Sequence, residues 1–451
     1  MSSHETRRGP TTAGRLLRVV GMGFGVAVII GNTIGAGILR APGQVAAHLP
    51  DTTLYLAVWV AGGLYALLGA IQIAELGAML PRAGGQYVFA RHALGEYAGF
   101  VVGWSDWIST CGTTATVSIV IAEFSTELLP ALRGSVPLLA GTVAAIFAAA
   151  QWRGIREASA TQNVTTVLKG SAFAVLIIAA LAFGDSGAMA GATRTSVTSG
   201  FTAVAFVLAL QAVIYTYDGW TGVVYFSEEI RDPGREIPRA LFLGVVSVSA
   251  IYLLLNISFL HVLPVGTLAG EEFAAGAVAD ALFDNRGGLV LRIITIVAML
   301  SAINAYHLMA SRVLFAMSRD GLVTRRAATV NVGGTPTVAL LLSASVAILF
   351  IMFGRTFERL ITVLAFFFIA NYTLSFISLI VLREREPERP RPYLAWGYPW
   401  TTVLALLGSV AFLIGAVAGD TRNSIDALLL LAISYPVFRL VRVREPQPAG
   451  S

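Results

Sequence analysis

The stretch Gly31-Asn32-Thr33-Ile34-Gly35-Ala36-Gly37 lies inside a long apolar run and breaks it. It holds three glycines in seven residues, and each weakens a helix by roughly 1 kcal/mol relative to alanine. A second apolar run is cut by Tyr215-Thr216-Tyr217-Asp218-Gly219-Trp220, shortly before the polar Ser227-Glu228-Glu229. Freed backbone groups are tolerated in lipid only where they face protein or a cavity. One such break reads equally well as close helix packing through small residues. Two breaks at matching places in two halves of a chain point instead to a transporter built from inverted repeats.

The surrounding sequence supplies the membrane. Of 451 residues, 56% are hydrophobic and 13% are charged, against roughly 25% charged in a soluble domain. The chain cannot clothe a soluble surface, and disorder would need low hydrophobicity and high net charge. Twelve apolar stretches of spanning length are expected near 19–48, 54–80, 95–126, 135–152, 160–183, 200–226, 239–263, 288–317, 336–353, 358–382, 400–418 and 424–440. They are continuous runs, which excludes a membrane β-barrel with its ten-residue alternation. Five stretches start with each break. Five helices cannot return to the starting side, so the second half would be inverted and the last two stretches would be additions.

The expected division is a tail at 1–18, a five-helix repeat at 19–185, an inverted repeat at 200–382, helices eleven and twelve at 400–440, and a tail at 441–451. Two loops, Pro81 to Gly95 and Ser227 to Arg239, mix charges with apolar residues and read equally as short amphipathic helices at the membrane surface or as ordinary solvated loops.

With the N-terminus inside, 22 arginines fall on the cytoplasmic side and eight on the other; with Lys169 these are the 31 basic residues. That asymmetry predicts both termini in the cytoplasm and a multi-pass protein of the cytoplasmic membrane. It also accounts for the net charge of +5 without nucleic acid. No signal-peptide cleavage pattern is expected at the N-terminus. Cys111 is the sole cysteine, so no intrachain disulfide or cysteine-based metal site is expected. No cofactor is called for, and nothing in the sequence speaks to oligomeric state.

The breaks suggest their own chemistry. A half-helix starting near Gly37 would present free N–H groups and the positive end of its dipole, which suits a carboxylate. Half-helices ending near Thr33 and Tyr215 would present free carbonyls, which suit an ammonium. A zwitterionic amino acid meets both requirements. Lys169, the only lysine, would lie roughly 14 Å into the fifth span, near the middle of a hydrocarbon core of about 30 Å. A lysine there is a functional candidate that could gain and lose a proton during a cycle. Asp106, Asn304, His307, Asn371 and Tyr372 are read as interhelical hydrogen-bonding groups. Glu75 is read as the partner of a nearby arginine. Phe366, Phe367 and Phe368 are read as packing residues that could also line a pocket.

Four motifs resemble the amino acid–polyamine–organocation transporters over nearly the whole chain. They are Ile34-Gly35-Ala36-Gly37-Ile38; Ala74-Glu75-Leu76 with Pro81-Arg82-Ala83-Gly84-Gly85-Gln86-Tyr87; Tyr217-Asp218-Gly219-Trp220 with Glu228-Glu229-Ile230-Arg231-Asp232-Pro233 and Ile237-Pro238-Arg239-Ala240; and Ser311-Arg312 with Arg319-Asp320-Gly321. The sixth span is most similar to the L-type branch.

The resemblance implies an all-α LeuT-type fold of twelve helices and alternating-access transport of an amino acid, favouring a neutral one. It implies that Gly35, Ala36 and Gly37 hold the carboxylate and that Thr33, Tyr215 and Asp218 offer carbonyls to the amine. Tyr215 would also gate the site, and Trp220 would border the side-chain pocket. Lys169 would link Gly31 to Ser301 in the place of a sodium ion, implying proton coupling or exchange. Two positions depart from the family's commoner residues: Ala36 stands for serine, and Tyr215 for phenylalanine. With no cysteine outside, no disulfide-linked partner is expected.

Three alternatives stand beside this reading. One is a polyamine or cationic amino acid antiporter of the same fold. Another is a major-facilitator protein, which predicts a long central loop that is absent here. The third is a membrane-embedded enzyme or channel; an enzyme needs converging ligands or nucleophiles, and only His307 lies clearly inside a span.

Overall fold

The computed structural model describes residue 16 and residues 18–132, 134–152, 155–184, 203–283, 287–353 and 357–444. The expected N-terminal tail lies almost entirely outside these residues, as do most of the C-terminal tail and Arg7, Arg8, Arg15, Arg133, Arg153, Arg194, Arg286 and Arg355.

Where apolar side chains cover both faces of a segment, a helix satisfies every backbone group internally. The chain therefore folds into α1 (Met22–Thr33), α2 (Ala36–His48), α3 (Thr52–Met79), α4 (Gln86–Leu94), α5 (Glu96–Leu128), α6 (Val136–Gln151) and α7 (Ile155–Phe183). Then follow α8 (Ala203–Tyr217), a 3₁₀ turn (Trp220–Phe226), α9 (Pro233–Val262), α10 (Ala274–Phe283), α11 (Gly287–Arg319), α12 (Thr337–Phe353), α13 (Phe357–Arg385), α14 (Trp400–Gly419) and α15 (Thr421–Arg444). No β-strand element occurs among the described residues.

A helix stands at each of the twelve expected stretches, but they are not equal. Among the described residues, nine are long and apolar enough to cross a membrane, and α1 with α2 forms a tenth, bent by 42° at its break. The stretches at α6 and α12 are shorter apolar helices.

One of the two loop expectations is corrected. The first loop does contain a helix, α4, whose Gln86, Tyr87, Val88, Phe89, Ala90 and Ala93 are buried against α5 and α13 while His92 is exposed. The second loop forms no separate helix. Asp232-Pro233 starts α9, because proline is favoured where a helix's first N–H is unpaired, so this helix begins six residues earlier than expected.

The breaks sit at the centre of the molecule. Helix α1 packs against α7, α9, α11 and the 3₁₀ turn, while α2 packs against α8. On the arginine-rich face, Arg312 and Glu229 form a fully buried pair at 3.1 and 3.3 Å. Asp320 receives Arg82 at 3.0 Å, Arg91 at 3.2 Å and the Tyr87 hydroxyl at 3.0 Å. Val20 is pinned to the segment after the 3₁₀ turn, donating to Glu229 O and accepting from Arg231 N. On the opposite face Arg40 pairs with Glu123 and Arg292 with Glu127, while Gly270 N–H donates to Gly43 O at 3.0 Å. Polar contacts thus stand on both faces of the bundle.

Candidate functional site

An α-helix leaves its last four carbonyls without intrahelical donors. At the end of α1 each has a named partner. Ile30 O accepts from Ile34 N–H at 2.9 Å. Gly31 O accepts from Lys169 Nζ at 2.9 Å. Asn32 O accepts from the Tyr306 hydroxyl at 2.9 Å, and Thr33 O from the Tyr252 hydroxyl at 2.5 Å. Lys169 also donates to Ile34 O at 2.6 Å. In apolar surroundings an unmet backbone group costs several kcal/mol, so these side chains make the break tolerable.

Lys169 is 1% exposed and lies at the midpoint of α7, within its apolar stretch Gln162–Phe183. Its approach depends on Gly31. A Cβ there would stand 2.8 Å from the Thr166 hydroxyl and closer still to the Gln162 amide, so these side chains of α7 would have to move. Ser301 is buried on α11.

The far side of the break has the opposite polarity. Helix α2 starts after Gly35, which has no side chain to cap it, and no acid occupies the first turn. Its positive end therefore has no acid of its own turn beside it, and such a helix start attracts an anion. Gly37 is pressed against α8: a Cβ would lie 2.8 Å from Thr216 Cα.

The second break ends α8 at Tyr217. Asp218 N–H then bonds back to Ile214 O at 2.9 Å and Tyr215 O at 3.2 Å. Gly219 turns the chain at φ 106°, in the left-handed region that only glycine enters readily, and a Cβ there would also strike Asn32. Tyr252 ties the breaks together, because its hydroxyl reaches both Thr33 O and Thr216 O, the latter at 3.0 Å.

Beside the breaks lies a small void of about 10 Å³, lined among others by Asp106, Thr110 and Thr113 of α5, by Asp218 and Tyr225, and by Tyr306; that is room for about one water. Asp218 accepts from the Tyr372 hydroxyl at 2.5 Å. Asp106 Oδ1 accepts from Tyr225 at 2.7 Å. Asp106 Oδ2 is buried and has no hydrogen-bond partner among the described residues. Phe368 also lines the void. Tyr215 is buried with its hydroxyl toward Thr116 of α5. Trp220 points elsewhere, packing on the Tyr372 ring at 5.1 Å and against α3 at Gly69.

The structure thus gathers Gly31, Thr33, Gly35, Gly37 and Lys169 at one break and Tyr215, Asp218 and Gly219 at the other. Tyr252 and Tyr306 were not singled out from the sequence. A buried tyrosine within an apolar span was the available signal, but its partners are backbone atoms on other helices. The hydrogen-bonding expectations for Asn304, His307 and Asn371 find partners in Gln151, the Ala144 carbonyl and Ser105, and Glu75 pairs with Arg383 and Arg391. No group of three or more metal-binding side chains occurs among the described residues.

The model of the amino acid permease family matches residues 23–435, from α1 to within α15. The chain belongs to this family. Curated relatives extend over most of the permease. It is 27% identical to the serine/threonine exchanger SteT of Bacillus subtilis (strain 168) over 439 residues, covering 95% of this chain and 98% of that protein. It is 27% identical to the b(0,+)-type amino acid transporter 1 of Mus musculus over 399 residues, covering 87% and 80%. It is 27% identical to the large neutral amino acids transporter small subunit 2 of Homo sapiens over 391 residues, covering 84% and 72%. The permease is a multi-pass membrane protein of a transporter family, not an enzyme, and amino acid transport is the activity its family and relatives support.

Proposed function

We propose that this permease carries a neutral amino acid across the cytoplasmic membrane by alternating access. The observation that carries the reading is the break at residues 33–36. It sets an uncapped, positive helix start beside a helix end whose carbonyls are held by protein donors. Gly35, Ala36 and Gly37 would take the substrate carboxylate on backbone N–H groups. Thr33, Tyr215 and Asp218 would face its amine through carbonyls. A carbonyl oxygen has two lone pairs, so the bonds to Thr33 O and Tyr215 O leave each one acceptor site. Tyr215 would close over the ligand, and Trp220 would shape the pocket from behind, through Tyr372.

The architecture proposed with it is twelve helices with both termini cytoplasmic. It has a repeat at 19–185, an inverted repeat at 200–382 and two added helices at 400–440. Lys169 in the middle of α7, bonded to Gly31 O and Ile34 O, supports an ammonium in the role of a coupling cation, with proton coupling or exchange and Ser301 near its path. Radiolabelled uptake into liposomes tests the function. Uptake that persists when sodium is replaced by choline and responds to a pH gradient or to internal amino acid is expected. Absence of uptake for every amino acid under all these conditions would sink the proposal.

One observation favours a second reading, a cationic amino acid as substrate. Asp106 and Asp218 face one void, and Asp106 keeps an unpartnered oxygen there. A buried carboxylate wants a donor or a cation. Competition of labelled uptake by lysine and arginine, set against serine, threonine and leucine, decides between the two.

A further inference from the structure

Away from the breaks, the start of α9 borders an open cleft of about 710 Å³ against the segment before α14. Arg235 and Arg239 line it, one helical turn apart, and both are exposed. Neither guanidinium has a hydrogen-bond or ion-pair partner among the described residues. Below them the same cleft turns apolar through Phe242, Leu243 and Val246, the last two half-exposed on the outer surface of the bundle. Tyr393 and Trp396 form its far wall. Trp396 is 65% exposed and stacks on Phe242 at 5.1 Å with the rings 9° apart.

From Arg239 to Val246 the helix descends about 10 Å. The cleft therefore changes from cationic to aromatic to aliphatic over the thickness of a headgroup layer and the first part of an acyl chain. Aromatic side chains sit where headgroups meet hydrocarbon, and arginine pairs beside such a belt attract anionic lipid.

We propose that this cleft is a binding site for an anionic phospholipid, its phosphate held by Arg235 and Arg239 and one acyl chain laid along Phe242, Leu243 and Val246. The acids on the same helical turns, Asp232 and Glu236, argue for a lipid over a free anion. They offset much of the arginine charge, so a bare phosphate gains little, whereas a lipid adds the burial of its chain.

The test uses the full chain in phosphatidylcholine vesicles doped with phosphatidylglycerol, either lipid carrying brominated acyl chains that quench tryptophan on contact. Brominated phosphatidylglycerol is expected to quench more than brominated phosphatidylcholine at equal mole fraction. The excess should vanish in Trp396→Phe. In Arg235→Ala/Arg239→Ala the mole fraction for half-maximal excess should rise on the order of tenfold or more, since each arginine near the surface contributes about fivefold. Arg326→Ala, an exposed arginine on the same face, should change nothing. Both substituted arginines are exposed, so thermal unfolding of the double variant should match the parent and separate lost binding from lost folding. Equal quenching by the two lipids would overturn the proposal. So would an excess that survives the double variant, or one that millimolar inorganic phosphate abolishes.

Discussion

Lys169 reaches from the middle of α7 to the Gly31 carbonyl at the end of α1, 2.9 Å away. Its second bond, to Ile34 O at 2.6 Å, spans the break itself, so one ammonium holds both the last turn of α1 and the linker to α2. Lys169→Ala leaves two buried carbonyls with one donor fewer, a cost of about 1–3 kcal/mol each. Lower thermal stability is expected together with loss of transport or of its pH dependence. Uptake into liposomes with and without a pH gradient checks it; wild-type rates with the pH response intact would remove Lys169 from the mechanism.

Tyr252 is the hydroxyl shared by the two breaks, accepted by Thr33 O and Thr216 O. Tyr252→Phe keeps the ring, which packs edge-on against Trp59 at 5.9 Å, and removes only the donor. A loss of about 1–3 kcal/mol is expected, read as a lower unfolding temperature. Substrate-induced stabilisation should shrink with it, because the relative placing of the breaks is loosened. A thermal-shift titration with the transported amino acid measures both.

Gly37 presses on both the backbone and the side chain of Thr216. Gly37→Ala would put its Cβ 2.8 Å from Thr216 Cα, and overpacking of this kind typically costs about 1–3 kcal/mol. Since α2 must shift to relieve it, substrate binding should weaken by more than the unfolding temperature implies. An unchanged apparent affinity in the same uptake assay would count against a carboxylate site at the start of α2.

The Arg312–Glu229 pair is inaccessible on both sides, and removing one partner of a buried pair typically costs about 3–5 kcal/mol. Arg312→Met and Glu229→Met are each expected to lower stability strongly. The double variant should recover much of the loss, because no lone charge stays buried. Additive losses in a thermal-unfolding cycle would show that the two do not act as a pair.

Asp106 offers the sharpest handle on selectivity. Asp106→Asn preserves an acceptor for the Tyr225 hydroxyl and removes the negative charge from the void. If the substrate is neutral, its uptake should persist with an altered preference among side chains carrying a hydroxyl. If the substrate is cationic, uptake of lysine or arginine should fall at least tenfold, about 1.4 kcal/mol. Unchanged selectivity across the panel would separate Asp106 from the substrate.

Hydropathy and helix breaking are local properties, so the apolar stretches, the breaks at Gly35 and Gly219 and the place of Lys169 within an apolar helix were all legible in the amino-acid order. The helix boundaries at α1, α2 and α8 lie within a few residues of those expected. The sequence misled where charge and apolar residues alternate: Ser227 to Arg239 forms no helix of its own, because Asp232-Pro233 starts α9.

What only the tertiary structure decided is who answers the freed backbone. Asn32, Thr33 and Thr216 carbonyls are met by Tyr306 and Tyr252, the first two from more than 200 positions away. Asp106 finds Tyr225 and keeps one oxygen bare. Trp220 turns toward Gly69 and Tyr372 and away from the void. A break in a helix is written in the residues that make it. The donor that satisfies it is set by how helices pack around glycines such as Gly31 and Gly37, and packing at this range is a property of the whole bundle.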